Sequence, residues 1–194
     1  MKRAEAVAEL QGLWAVLSAD QDAAVAYGKG NNTPYAQRAL IRANFALMEG
    51  LSYQLRSVTL ASLQTTERLS KNERMLLREE RHTINEKGEP QVKESFLRFP
   101  ESLLFSMRMY VCNHGATFEP DIKHSGWQAM RRAAKVRNLV THPKSAASLA
   151  LSNQDLASIQ EAAAWWKATM LGMFAACSEA DSYWQEQLGN APSA

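Results

Sequence analysis

A chain of 194 residues with 46% hydrophobic side chains suits one packed domain, since single cores commonly run to this length. A formal net charge of +2 neither demands nor excludes a polyanionic partner, so the placement of the charge matters more than its sum. Two cysteines, Cys112 and Cys177, argue against a disulfide framework, the first ten residues lack the apolar run of a signal peptide, and the apolar stretch 162–177 is too short for a bilayer and carries Lys167. The expectation is a single-domain, cytoplasmic, non-membrane protein.

Helical spacing dominates in chain order. Residues 2–18 place Leu10, Leu13, Trp14 and Leu17 on one side of a modest N-terminal helix, and the run Gly28-Lys29-Gly30-Asn31-Asn32 breaks the chain after it. Residues 1–30 thus read as an N-terminal helix and linker ahead of a core over 34–187. Thr33 caps a long helix over 34–68 that begins on Pro34, a favoured first residue. Ile41, Phe45, Met48, Leu51, Leu55 and Val58 recur along it at intervals of three and four, the seam of a bundle helix. Ser70 and Glu73 form a capping box for a charged helix predicted to reach Ile84. Residues 85–99 then read as a polar loop with room for a short irregular hairpin.

Pro100 opens a helix that runs to Asn113. After a loop over 115–123, Ser125 with Gln128 reads as a second capping box. Ser152 caps a final helix over 153–187 whose Ile159, Ala163, Trp166, Met170 and Met173 face inward. The long helices over 34–68 and 153–187 bracket shorter ones, so the predicted fold is an all-α bundle of five or six helices.

The helix over 127–141 carries the chemistry. At about 100° per residue, Ala129, Ala133, Val136 and Val140 share one half of the circle, with Trp127, Met130 and Ala134 beside them, and Gln128, Arg131, Arg132 and Lys135 lie opposite. Arg137 falls among the apolar residues. A guanidinium keeps its charge, so a packing face tolerates it only with a partner. Alone, it fits a structural ion pair with Glu49 or another acid. Five residues on stands His142, a residue type that titrates near neutrality, and Pro143 disfavours helical geometry there. An arginine on a packing face one turn and a bit before a helix-ending histidine points to phosphate chemistry.

The segment Arg137-Asn138-Leu139-Val140-Thr141-His142 resembles the R-x4-6-H motif of the HEPN family, in which an arginine and a polar residue precede a histidine late in a helix of a small all-α bundle. The resemblance is strongest over 120–170. It implies a homodimer whose two motifs share one cleft, and metal-independent cleavage of RNA, as in toxins and phage-defence effectors controlled by a cognate antitoxin or a partner protein. No cofactor is expected. On this reading Arg137 stabilises the transition state, His142 transfers a proton and Asn138 orients the histidine or the phosphate. Arg131, Arg132, Lys135 and Lys144 would meet RNA first. Some similar motifs carry a tyrosine, a site of nucleotidylation, where this chain has Lys144, so control by that modification is not expected. The family also includes non-cleaving members that bind nucleotides or scaffold partners.

Weaker candidates stand beside the motif. Asn44 projects into the apolar arc of its helix and reads as a satisfied core amide before it reads as a support for Arg137. Glu49, between Arg42 and Arg56, fits a solvated pair with either, and an acid in this helix recurs in similar proteins. Cys112, His114 and His124 do not have the spacing of a closed zinc set, so no metal is expected. Trp165 and Trp166 read as core and interface residues.

Overall fold

A computed structural model of the chain describes residues 2–63 and 69–189. Within them lie six helices: α1 (Arg3–Gly30), α2 (Pro34–Leu63), α3 (Lys71–Leu77), α4 (Phe99–His114), α5 (Ser125–Thr141) and α6 (Asn153–Gly189). One antiparallel hairpin joins β1 (Glu80–Ile84) to β2 (Pro90–Glu94), with Glu80 opposite Glu94 and Ile84 opposite Pro90. The fold is mostly helical, as the periodicity predicts. Among the described residues no helix is long and apolar enough to cross a membrane.

The seam of α2 is the centre of the core: Ile41, Phe45, Met48, Leu51, Leu55 and Val58 are all buried. α1 and α4 pack along α2, and α5 lies against α6. Three expectations need correction. α1 continues well past residue 18, because the Ala-rich stretch 19–27 contains no Gly or Pro to stop it. It is a packed helix and not a linker: Leu13 and Leu17 press on α2 at Gly50, where an added Cβ would lie 2.8 Å from Leu17 Cδ1. The helix capped by Ser70 ends at Leu77 and not at Ile84. The capping box itself forms, with Glu73 N–H donating to Ser70 Oγ at 3.2 Å. The β-branched Thr83 and Ile84, however, lie in β1 and pair with Gln91 and Pro90. The turn is closed by Asn85 Oδ1, which accepts from the N–H groups of Lys87 and Glu89. The third concerns the start of α5. His124 is the cap, its Nδ1 accepting from Gly126 N–H at 2.9 Å, and Ser125 is the first helical residue. The part of the second helix predicted over 64–68 lies outside the described residues.

At its start α5 touches α6 almost backbone to backbone. A Cβ on Gly126 would lie 2.3 Å from the Cβ of Trp165, a distance no pair of carbon atoms tolerates. Trp127 packs on Trp165, whose indole N–H donates to the Asp121 carbonyl at 3.2 Å. At the other end Arg42 Nη2 donates to the Val140 carbonyl at 3.1 Å, satisfying an acceptor in the last turn of α5. The motif helix is therefore fixed at both ends.

Candidate functional site

The two faces of α5 divide as the helical projection predicts. Trp127, Ala129, Met130, Ala133, Ala134, Val136 and Val140 are buried, and Gln128, Arg131, Arg132 and Lys135 are exposed. The apolar arc is consumed within a single chain by α2, α4 and α6.

Gln128, Arg131, Lys135, Asn138 and His142 recur at intervals of three and four, so they share a stripe along α5. They line one side of a cleft of about 980 Å³. Phe45, Glu49, Ser52 and Arg56 of α2, spaced in the same way, line another side, and residues 96–102 close the third. Arg56, Arg98, Arg131, Arg132, Lys135 and Arg137 face this space against the carboxylates of Glu49, Glu79 and Glu101, an excess of positive charge. A concave wall focuses such a field on an approaching anion.

Arg137 is only partly buried, with 24% of its side chain exposed. Nη2 is ion-paired to Glu49 Oε2, and Nη1 donates to Asn138 Oδ1 at 3.0 Å. A guanidinium carries five N–H donors, so donors remain for an incoming oxyanion. The presence of Arg137 among the apolar residues of α5 is thus explained by a partner on α2. Glu49 is that partner; it pairs with neither Arg42, which holds α5, nor Arg56. The Asn138 side chain meets Arg137, and its hydrogen bond with His142 is a backbone one. His142 ends the helix with φ −125° and ψ 65°, its N–H donating to the Asn138 carbonyl at 2.9 Å, and its exposed ring lines the cleft.

The other sequence candidates divide. Arg131, Arg132 and Lys135 are in the cleft; Lys144 is exposed but does not line it. Arg132 is also engaged with α6, its Nε donating to Ser158 Oγ at 3.2 Å. Asn44 is a satisfied core amide: it accepts from Gln21 Nε2 at 2.6 Å and donates to the Leu40 carbonyl at 2.9 Å, away from Arg137. Trp165 and Trp166 are buried. His114 Nδ1 pairs with Asp181 at 2.9 Å and His124 caps α5, so neither joins Cys112 in a cluster. Among the described residues no three His, Cys, Asp or Glu side chains gather around a common point.

Sequence reasoning missed Arg56. It reads as a solvated partner for Glu49, yet it is 5% exposed. Nη2 pairs with Glu79 Oε1 at 3.0 Å, and Nη1 donates to Ser102 Oγ at 2.8 Å and Ser106 Oγ at 3.2 Å. Burial lowers its pKa from the ordinary value, and the Glu79 carboxylate opposes that shift. The available signal was a pair of four-residue spacings, Ser52 with Arg56 on α2 and Ser102 with Ser106 on α4. Phe96, 85% exposed on the cleft wall, had no periodic signal because it lies between elements. No family model, no curated protein and no solved structure matches this chain.

Proposed function

We propose that this protein is a HEPN-type, metal-independent endoribonuclease that works as a homodimer. The observation that supports this reading best is the gathering of Arg137, Asn138 and His142 on one wall of a cationic cleft. RNA supplies its own nucleophile. A general base removes the 2′-hydroxyl proton, the 2′-oxygen attacks the adjacent phosphorus, the bond to the 5′-oxygen breaks, and a general acid protonates that oxygen. The products are a 2′,3′-cyclic phosphate and a 5′-hydroxyl. His142 suits either proton transfer, being exposed at a helix end. Arg137 suits the charge that builds on the phosphoryl oxygens, through the donors that Glu49 and Asn138 leave open. Arg131, Arg132 and Lys135 draw the strand in, with Lys144 outside the cleft.

Two-fold pairing of motifs rests on the family resemblance, as does a role as a toxin or phage-defence effector with a cognate antitoxin or partner protein. The test is cleavage of single-stranded RNA in excess EDTA, with sedimentation to give the assembly state. Cleavage should persist with chelator and cease when the scissile 2′-hydroxyl is removed. A 2′-deoxy substrate that is still cut refutes internal attack. A monomer that cuts refutes the shared cleft.

The second reading is a non-cleaving module that binds RNA or a nucleotide, or scaffolds a partner enzyme. The Arg137–Glu49 pair favours it, because a carboxylate already answers the charge of Arg137. RNA bound without being cut would select this reading.

A further inference from the structure

Arg56 is a buried arginine with an incomplete set of partners. Its Nη1 meets hydroxyls, its Nη2 meets Glu79, and its buried Nε has no acceptor. Arginine recognises an oxyanion best through two parallel N–H donors, and Glu79 reaches this one through a single nitrogen. Hydroxyl oxygens are neutral and offset little of a desolvated charge. A tetrahedral phosphate could accept from two guanidinium nitrogens at once and from a serine hydroxyl as well. Arg56, Ser52, Ser102 and Glu79 all line the cleft that holds Arg137.

Glu79 is the partner that is able to leave. Its side chain is 30% exposed, against 6% for Arg56. It sits at φ 53°, the left-handed region that a non-glycine residue rarely occupies without an external hold. It also forms the root of the hairpin, its carbonyl accepting from Ser95 N–H at 2.6 Å, and the hairpin packs on α3.

We infer that Arg56, with the hydroxyl of Ser102 beside it, is a second phosphate-binding position of the cleft, and that the Glu79 carboxylate occupies it in the free protein. The ligand is a phosphate group, from an RNA backbone or from a free nucleotide. Its arrival displaces Glu79 and loosens the root of the hairpin. The inference rests on the cleft admitting a phosphate-bearing ligand, as the nuclease reading requires, but not on cleavage.

The test measures binding in the full chain carrying Arg137→Gln, which silences the first position. Inorganic phosphate, a short single-stranded oligoribonucleotide and a nucleoside triphosphate are titrated by calorimetry and by thermal shift. Adding Glu79→Gln should tighten phosphate binding about tenfold, the factor for a site that is open about a tenth of the time. It should also lower the melting temperature in phosphate-free buffer, with phosphate restoring it. A gain with the oligonucleotide or with the triphosphate supports the site, and the larger gain names its source. Because loss of Arg56 can unfold the chain, Ser102→Ala is the second arm: it keeps the Arg56–Glu79 pair and should reduce the gain. Equal phosphate affinity with and without Glu79→Gln, or a gain indifferent to Ser102→Ala, overturns the inference. A gain in these variants beside a parent chain, with Arg137 intact, that cuts no RNA leaves the site standing and removes the nuclease reading alone.

Discussion

The ion pair between α2 and α5 decides whether Arg137 is spare for chemistry or committed to the fold. Glu49→Gln and Arg137→Gln, made singly and together, isolate it in a double-mutant cycle. Fully exposed pairs give ~0.2–1 kcal/mol in such cycles, and breaking a fully buried pair costs ~3–5 kcal/mol. Here the two side chains are 24% and 31% exposed, so removing either partner should cost an amount between those limits, about 1–2 kcal/mol, and the coupling should not exceed it. At ~2–4 °C per kcal/mol for a domain of this size, each single variant should melt roughly 2–8 °C below the parent. Arg137→Gln should be the worse of the two, because it also loses the bond to Asn138 Oδ1. An arginine left unpaired on a packing face would give the opposite sign on removal. Urea melts followed by tryptophan fluorescence supply the free energies. A coupling near zero would mean that the pair does not hold in solution. A coupling above ~3 kcal/mol would mark a buried structural pair and argue against free donors for phosphate.

Two further outcomes follow from the geometry. Gly126→Ala places a Cβ 2.3 Å from Trp165 Cβ, which forces α5 from α6; it should cost about 1–3 kcal/mol, as overpacking does, and thermal melts check it. Cys177 is buried, and burial pushes its thiol from the ordinary 9.0 up to about 11, with Asp181 adding to the shift. In the unfolded chain the thiol ionises earlier, so this stabilisation is complete below pH 9 and is lost as pH rises through about 11. Iodoacetamide at pH 8 should therefore label exposed Cys112 and spare Cys177, and mass spectrometry after digestion reads the difference.

How much of this was legible in the sequence depended on periodicity. The α2 seam and both faces of α5 were readable because burial and spacing agree residue by residue. The motif was readable because Arg137 broke that pattern and Pro143 marked the end of the helix. The hairpin was read partly as helix, because Glu80-Arg81-His82 carries no apolar alternation. The two-stranded ladder that settles its state pairs Glu80, Arg81 and His82 with Glu94, Lys93 and Val92, beyond the reach of helical spacing. Arg56 escaped for a related reason. Its burial depends on α4 and on Glu79, neither of which α2 reveals by itself. Glu49 was visible as a possible partner of Arg137, but only tertiary packing takes Arg42 and Arg56 out of the competition.

On the nuclease reading proposed above, His142 moves a proton while the fold and the hold on RNA rest on other residues. His142→Ala is the most direct measurement. The ring is exposed, and the backbone bond to Asn138 survives the change. The variant should keep the parent's melting temperature, its assembly state and its affinity for a single-stranded oligoribonucleotide. Its cleavage rate should fall about 10²–10⁴-fold, the usual worth of general acid–base catalysis. A variant that cuts RNA at the parent rate would contradict a proton-transfer role for His142.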